Sequence, residues 1–205
     1  EDDACDATAS VAAAQKLVTA GVKGSVGGYC SGATLPTLPI FADAGIPMVI
    51  PAANSNELVG QGAFMINGTG TQQAEAAVTW INKEGSKNVV IIDDNEAYPK
   101  DLADSIEKQA TGLTVAREHV NPDEKDFSAA VNSVLGKSPD FVVWTGYYQA
   151  GGLLIKQLRA AGYAGPILVG DGSVDAQLSA IAGADAMTGV VGTCTRTPDM
   201  LENGA

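Results

Sequence analysis

The sequence predicts an α/β fold in which parallel strands are flanked by helices. Segments with apolar residues at helical spacing alternate with short apolar runs along the chain. Helical patterns of about 10–15 residues between successive runs are typical of parallel strands joined by helical crossovers. The chain has 205 residues, of which 45% are hydrophobic, so it has enough apolar material for a sizeable core and does not read as disordered.

The first third of the chain contains two predicted helices and three predicted strands. Apolar residues at helical spacing predict a helix over residues 8–20, and Gly21 ends it. Pro36 and Pro39 predict that the next helix, over 31–44, is short or irregular. The predicted strands of this part are 25–29, 47–50 and 64–67.

A Gly-Thr-Gly-Thr segment at 68–71 is predicted to be a linker, and a second α/β run follows it. The predicted helices of this run are 71–83, 100–109, 127–135, 151–161 and 176–181. Its predicted strands are 88–93, 113–117, 140–145, 166–169 and 189–193.

Charge and hydropathy exclude two classes of partner. The net charge is −12, from 12 basic and 24 acidic residues, which argues against a nucleic-acid groove and favours a solvated acidic surface. No apolar run approaches the roughly 20 residues of a membrane span. The chain starts at Glu1 without an initiator Met or a signal-type apolar segment, which we interpret as a mature form or a fragment.

Residues that follow predicted strands are candidates for a binding site, because ligands bind beyond the carboxyl ends of strands in open parallel sheets. Ser31 and neighbouring N–H groups can hold a carboxylate, and Asp171 can hold an ammonium group. Tyrosines can supply flat apolar walls with a polar tip. The residues at these positions are Cys30, Ser31, Ala52, Asn54, Ser55, Asp93, Asp94, Asn95, Tyr98, Thr145, Tyr147, Tyr148, Asp171 and Ser173.

Each of these residues also has a purely structural interpretation. Ser31 is equally suited to cap a helix, and Asp171, which precedes Gly172, is suited to form a turn. Tyrosines at strand ends often only pack at the rim of a core. The occurrence of all of them at one predicted edge favours the binding site.

The cysteines leave two alternatives open. Cys5 and Cys30 each flank a turn, and a disulfide between them would close a loop of 24 residues. Two buried free thiols are equally compatible with the local sequence. The chain contains no C-x-x-C motif, and His119 is its only histidine, so we expect no metal site.

Enzyme motifs are weak, and we expect neither catalysis nor a cofactor. The segment from Gly68 to Gln73 has two of three dinucleotide-binding glycines, but Gln73 stands where helix packing requires Gly or Ala. No G-x-S-x-G, H-E-x-x-H or P-loop occurs, and a Ser–His triad would depend on His119 alone. A metal-dependent enzyme that uses Asp93 and Asp94 stays as the alternative, although no lysine closely follows a predicted strand.

Several short segments keep the order and spacing of a known family. They are Asp2-Asp-Ala-Cys-Asp6, Tyr29-Cys-Ser31, Pro51-Ala-Ala53, Glu57-Leu58, Lys125-Asp-Phe127, Tyr147 and Arg159-Ala-Ala-Gly162. In these segments the chain resembles the leucine/isoleucine/valine-type substrate-binding proteins of ABC transporters, which are type I periplasmic binding proteins. The resemblance runs the length of the chain but covers only the middle of that fold, so the first lobe is incomplete here.

The resemblance implies two α/β lobes joined by a hinge, with the ligand in a cleft between them. Residues 1–68 correspond to a partial lobe 1, residues 69–193 to lobe 2, and residues 194–205 to the hinge return towards lobe 1. The family's disulfide falls on Cys5 and Cys30, which favours the first of the two alternatives for these cysteines.

The resemblance also implies a set of ligand-binding residues. The carboxylate-binding serine falls on Ser31, a backbone contact on Ala52 and the ammonium-binding acid on Asp171. Asn54 stands where the family often has Thr or Ser, and Asp171 is one methylene shorter than the Glu of some members, so the preference for branched aliphatic side chains stays open. The implied tyrosines are Tyr29, Tyr98 and Tyr147.

The function implied by the resemblance is binding of an amino acid or a similar small polar ligand for delivery to an ABC permease. We expect a monomer outside the cytoplasm, either periplasmic or a cell-surface lipoprotein. A ligand-binding sensor or receptor domain of the same fold is the alternative.

Overall fold

The computed structural model describes residues 1–194, which divide into two compact units after Gly70. Unit 1 comprises residues 1–70, and unit 2 begins at Thr71. The predicted hinge return at 194–205 lies outside the described residues, apart from Cys194. Within residues 1–194, no helix combines the length and the apolar character that crossing a membrane requires.

Unit 1 contains a small parallel sheet and three short or medium helices. Its helices are α1 (Ala7–Thr19), α2 (Ser31–Thr34) and α3 (Leu38–Asp43), with 3₁₀ turns at Leu35–Thr37 and Asn56–Leu58. Its strands are β1 (Ser25–Val26), β2 (Met48–Ile50) and β3 (Phe64–Met65), in the order β1-β2-β3 with both pairs parallel. The core of unit 1 lies between the helices and β2, where Leu38, Phe41 and Ile50 are buried.

Two prolines divide the helix that the sequence predicts over 31–44. The chain instead forms α2, a 3₁₀ turn that contains Pro36, and then α3 with Pro39 in its first turn. Proline lacks the N–H that a helix interior needs, whereas the first turn tolerates it. The expectation of an irregular helix is therefore confirmed.

The strand predicted over 25–29 ends early, at Val26. Gly28 has φ +102°, and a Cβ at this position would lie 2.6 Å from Thr34 Oγ1. Only glycine adopts this conformation at little cost and also allows so close an approach. The turn that leads into α2 therefore begins at Gly27 and Gly28 instead of after Tyr29.

Unit 2 is a larger α/β unit with a five-stranded sheet. Its strands are β4 (Asn88–Asp93), β5 (Thr114–His119), β6 (Phe141–Trp144), β7 (Ile167–Val169) and β8 (Val190–Gly192). The strand order is β5-β4-β6-β7-β8, and every pair is parallel. The helices are α4 (Gly70–Lys83), α5 (Ala97–Gln109), α6 (Ser128–Gly136), α7 (Tyr148–Ala160) and α8 (Ala176–Ala182), with 3₁₀ turns at Asp171–Ser173 and Ala184–Met187.

Helices cover both faces of this sheet, as a parallel sheet requires. Val89 and Ile91 of β4 pack in the cluster that contains residues of α4 and α5. Val90 and Ile92 pack in the cluster that contains residues of α6, α7 and α8. This alternation along β4 confirms the predicted α/β fold with parallel strands between helices.

Two helices of unit 2 begin three residues earlier than the sequence predicts. α5 begins at Ala97 and α7 at Tyr148. Tyr98 therefore lies in the first turn of α5, and Tyr147 takes the N-cap position of α7. Pro99 fits in the first turn of α5 because no helical N–H is needed there.

A disulfide joins Cys5 to Cys30, with 5.4 Å between their Cα atoms, which is an ordinary separation. Cys5 precedes α1, and Cys30 is the N-cap residue of α2. The bond therefore fixes the turn after β1 to the start of α1. The predicted disulfide is confirmed, whereas Cys194 is free and exposed.

Replacing both bridged cysteines by alanine is expected to lower the free energy of unfolding of unit 1 by about 3–4 kcal/mol, because the unfolded chain regains the entropy of an open loop. Native-state hydrogen exchange of the β2 amides measures this change. Cys194→Ala is the control and should leave the exchange unchanged. An equal decrease in both variants, or no decrease in the first, would contradict the structural role of the bond.

Candidate functional site

The turn after β1 and the β2 loop (residues 51–55) meet at the Ser31 hydroxyl. Ser31 Oγ accepts hydrogen bonds from the backbone N–H groups of Asn54 at 3.3 Å and Ser55 at 3.2 Å. Ser31 is 1% exposed and is the first residue of α2, whose N-cap is Cys30. The helix-cap interpretation of Ser31 is therefore wrong, because its hydroxyl serves a different segment of the chain.

These two bonds determine what Ser31 can offer to a ligand. A hydroxyl has two acceptor positions and one O–H donor. The two accepted bonds use both acceptor positions of Ser31 Oγ, so the group that it can offer to a ligand is the O–H donor. The N–H groups of Asn54 and Ser55 are directed to Ser31 Oγ. α2 has only four residues, so its N-terminus is too short a helix end to serve as an anion site. The serine O–H is therefore the group that suits a carboxylate oxygen.

The β2 loop is fixed from both sides by backbone hydrogen bonds. Ala53 N–H donates to the Gly28 carbonyl at 2.9 Å, and Gly70 N–H donates to the Asn54 carbonyl at 2.9 Å. Asn67 Nδ2 donates to the Ala52 carbonyl. Asn54 is 3% exposed, whereas Tyr29 is 56% exposed. The structure thus places Ser31, Ala52 and Asn54 together and leaves the Tyr29 ring at the surface of unit 1.

In unit 2, three predicted residues come together at the carboxyl ends of the strands. The rings of Tyr98 and Tyr147 lie 5.5 Å apart with a tilt of 48°. Gly172 N–H donates to the Tyr98 hydroxyl at 3.2 Å, and that hydroxyl is also hydrogen-bonded to the Asp171 carboxylate. The same hydroxyl donates to Gln73 Oε1 at 3.4 Å.

Tyr98 differs from the flat cleft wall that the sequence suggests. It is only 4% exposed, and its ring belongs to the core cluster with α4 and α5. Burial raises the pKa of Tyr98 well above its ordinary value, and the negative charge of Asp171 raises it further. The hydroxyl therefore stays protonated and has one proton to donate, for which the Asp171 carboxylate and Gln73 Oε1 are both acceptors within unit 2.

Two glycines that were not predicted as site residues allow this arrangement. A Cβ at Gly170 would lie 2.3 Å from the Tyr98 hydroxyl oxygen, and one at Gly172 would lie 2.9 Å from Tyr98 Cε1. Any side chain at these positions would displace the tyrosine. The signal available in the sequence was the Gly-Asp-Gly pattern around Asp171, directly after a buried strand.

Buried hydrogen bonds also hold Tyr147. Trp144 Nε1 donates to the Tyr147 carbonyl at 3.1 Å, and Ser173 Oγ donates to the Gly146 carbonyl at 2.8 Å. Trp144 and Ser173 are fully buried. The backbone before α7 is therefore fixed, while the Tyr147 side chain keeps partial exposure.

The acidic pair at the end of β4 pairs with neighbouring side chains. Asp93 is fully buried, accepts a hydrogen bond from Arg117 Nε at 2.7 Å and lies 3.1 Å from His119 Nδ1. Burial raises the pKa of Asp94 to about 6, although its carboxylate accepts from Glu96 N–H at 3.1 Å. Among residues 1–194, no group of three His, Cys, Asp or Glu side chains is arranged to hold a metal ion. The contacts of Asp93 with Arg117 and His119 instead link β4 to β5.

Comparison with known proteins yields a family and several relatives. A sequence profile of the periplasmic binding protein family matches residues 1–205. The Leu/Ile/Val-binding protein of Citrobacter freundii is 35% identical over an alignment of 192 residues that covers 90% of this chain and 52% of that protein. A leucine-, isoleucine-, valine-, threonine- and alanine-binding protein of Pseudomonas aeruginosa is 33% identical over an alignment of 202 residues that covers 95% of this chain and 54% of that protein.

Solved structures agree with these relatives. A leucine-binding protein of Thermotoga maritima superposes with a TM-score of 0.92 at 28% identity, over 97% of this chain and 58% of that chain. A branched-chain amino acid transporter substrate-binding protein of Streptococcus pneumoniae, solved with isoleucine, has a TM-score of 0.87 at 27% identity, over 94% and 57% of the two chains. The chain spans about half the length of the relatives it matches.

Ser31→Ala is expected to lower the free energy of unfolding of unit 1 by about 1–3 kcal/mol, because the N–H groups of Asn54 and Ser55 lose their acceptor inside a buried site. Ser10→Ala is the matched control, since Ser10 is equally buried and its hydroxyl only donates to the Ala7 carbonyl within α1. Hydrogen exchange at Asn54 and Ser55 should accelerate in the first variant only. Unchanged exchange in Ser31→Ala would contradict the assigned hydrogen bonds.

Proposed function

The chain belongs to the periplasmic binding protein family, and from that premise we propose that the protein binds an amino acid, or a similar small polar ligand, outside the cytoplasm and delivers it to an ABC permease. It does no chemistry on the ligand. In this proposal unit 1 is part of the first lobe of the family's fold, and residues 69–193 form the second lobe. The protein acts as a monomer.

The observation that carries the proposal is the arrangement around Asp171. The Asp171 carboxylate lies at the end of β7, is partly exposed and is oriented by the buried Tyr98 hydroxyl. A carboxylate held in this way accepts charge-assisted hydrogen bonds from an ammonium group. The partly exposed ring of Tyr147 next to it offers an aromatic face, which also attracts a cation.

Unit 1 supplies a donor. The Ser31 O–H suits the carboxylate of the ligand, and the carbonyl of Ala52 offers a backbone contact as a second acceptor. Tyr29 and Asn54 complete the set on this unit. A zwitterion requires a donor for its carboxylate and an acceptor for its ammonium group, and the described residues include both.

The names of the relatives support the amino-acid class of ligand. The relative of Citrobacter freundii is named for leucine, isoleucine and valine, and that of Pseudomonas aeruginosa also for threonine and alanine. The side-chain preference of this protein is a separate matter, because Asn54 replaces the Thr or Ser that is common in the family. We therefore propose that the protein recognises the ammonium and carboxylate groups of the ligand.

Asp171→Asn is expected to weaken the binding of L-leucine by at least about tenfold, since the ammonium group loses its charged acceptor. Binding of 4-methylpentanoate, which has the same carbon skeleton without the amine, should change far less. Isothermal titration calorimetry on the protein at its full length measures both ligands. Asp185→Asn, an exposed aspartate in the 3₁₀ turn Ala184–Met187, is the control. Equal loss for the two ligands would refute the ammonium role of Asp171.

A further inference from the structure

Asn67 lies directly after β3, at the same edge of the unit 1 sheet as the β2 loop. Ile66 N–H still pairs with the Ile50 carbonyl at 3.2 Å, so the backbone before Asn67 continues the β2–β3 ladder. The Asn67 side chain then turns towards the β2 loop, where its Nδ2 donates to the Ala52 carbonyl. Nothing in the sequence pattern marks Asn67 as a site residue.

The other half of the Asn67 amide is unsatisfied. Asn67 Oδ1 is buried and has no hydrogen-bond partner among the described residues. Turning the amide over would not help, because Oδ1 would then face the Ala52 carbonyl and two acceptors would repel each other. The Ala52 carbonyl therefore determines the orientation of the amide and leaves Oδ1 without a donor.

An unsatisfied buried acceptor destabilises the folded state, and such groups are uncommon in native proteins. An apolar side chain of similar size at position 67 would avoid this cost. Local violations of this kind are expected at sites where function, not stability, selects the residue. Asn67 Nδ2 donates to the Ala52 carbonyl. The function that this side chain can serve is therefore to fix the direction of that carbonyl.

We propose that Asn67 is a positioning residue of the ligand site, which holds the Ala52 carbonyl in the direction needed to accept a hydrogen bond from the ligand's ammonium group. A carbonyl oxygen has two lone pairs. Asn67 occupies one of them, and the other is directed to the ligand. This inference rests on the proposed function, because it assigns a role within the same site.

The other contacts of the β2 loop explain why one amide is sufficient. Ala53 is held through its N–H by the Gly28 carbonyl, and Asn54 is held through its N–H by Ser31 and through its carbonyl by Gly70. At Ala52, in contrast, a side chain holds the carbonyl, and that side chain is Asn67. Removing Asn67 should therefore change the direction of this carbonyl while the rest of the loop stays in place.

The test compares stability with affinity in Asn67→Leu, measured by urea unfolding and by calorimetric titration of the full-length protein with L-leucine and 4-methylpentanoate. We expect stability to change little, because the variant removes the unsatisfied Oδ1 acceptor and also removes the hydrogen bond that Nδ2 donates to the Ala52 carbonyl. Affinity for L-leucine should fall by about tenfold, and affinity for 4-methylpentanoate by less than about twofold. Asn82→Leu, at an exposed position of α4, is the matched control and should change neither affinity.

A second variant covers the case in which leucine is not tolerated at this position. Asn67→Asp keeps the size and polarity of the side chain but has no N–H to donate, and it should show the same selective loss. Unchanged affinity for L-leucine in either folded variant overturns the inference and leaves the proposed function intact. Parallel loss of stability and of affinity for both ligands also overturns it, because that result indicates a structural role. If the unsubstituted protein binds no amino acid, the proposed function fails and the inference fails with it.

Discussion

Parallel strand pairing is the constraint on which the rest of this structure depends. Every strand pair in both sheets is parallel, so within each unit the carboxyl ends of all strands open on one edge. In unit 1 this edge brings Ser31 and the β2 loop together, and in unit 2 it brings Tyr147 and Asp171 together. Residues that are far apart in the sequence become neighbours because the sheets allow no other arrangement.

The two edges differ in the hydrogen bonds that they leave for a ligand. In unit 1 the Ser31 oxygen accepts two backbone N–H groups, which leaves a hydroxyl donor. In unit 2 the buried Tyr98 hydroxyl bonds to the Asp171 carboxylate, which leaves a negatively charged acceptor. Burial makes both arrangements rigid, because breaking any of these bonds would strand a polar group away from water. The proposed recognition of a zwitterion follows from this difference.

Much of the fold and part of the site could be predicted from the sequence. Apolar periodicity located the strands and helices, and the prolines predicted the broken helix after Ser31. The start of α5 was predicted three residues too late, after Pro99, although proline is tolerated in a first turn, and the burial of Tyr98 was missed with it. Gly170, Gly172 and Asn67 could not be assigned, because their roles depend on close approach to side chains from other segments.

The central claim is that the protein recognises both charged groups of an amino acid. The most direct measurement is calorimetric titration of the unsubstituted, full-length protein with three ligands: L-leucine, its methyl ester, which lacks the carboxylate, and 4-methylpentanoate, which lacks the amine. Recognition of both groups predicts binding of L-leucine and a loss of at least about tenfold for each analogue. An analogue that binds as tightly as L-leucine would contradict recognition of the group that it lacks.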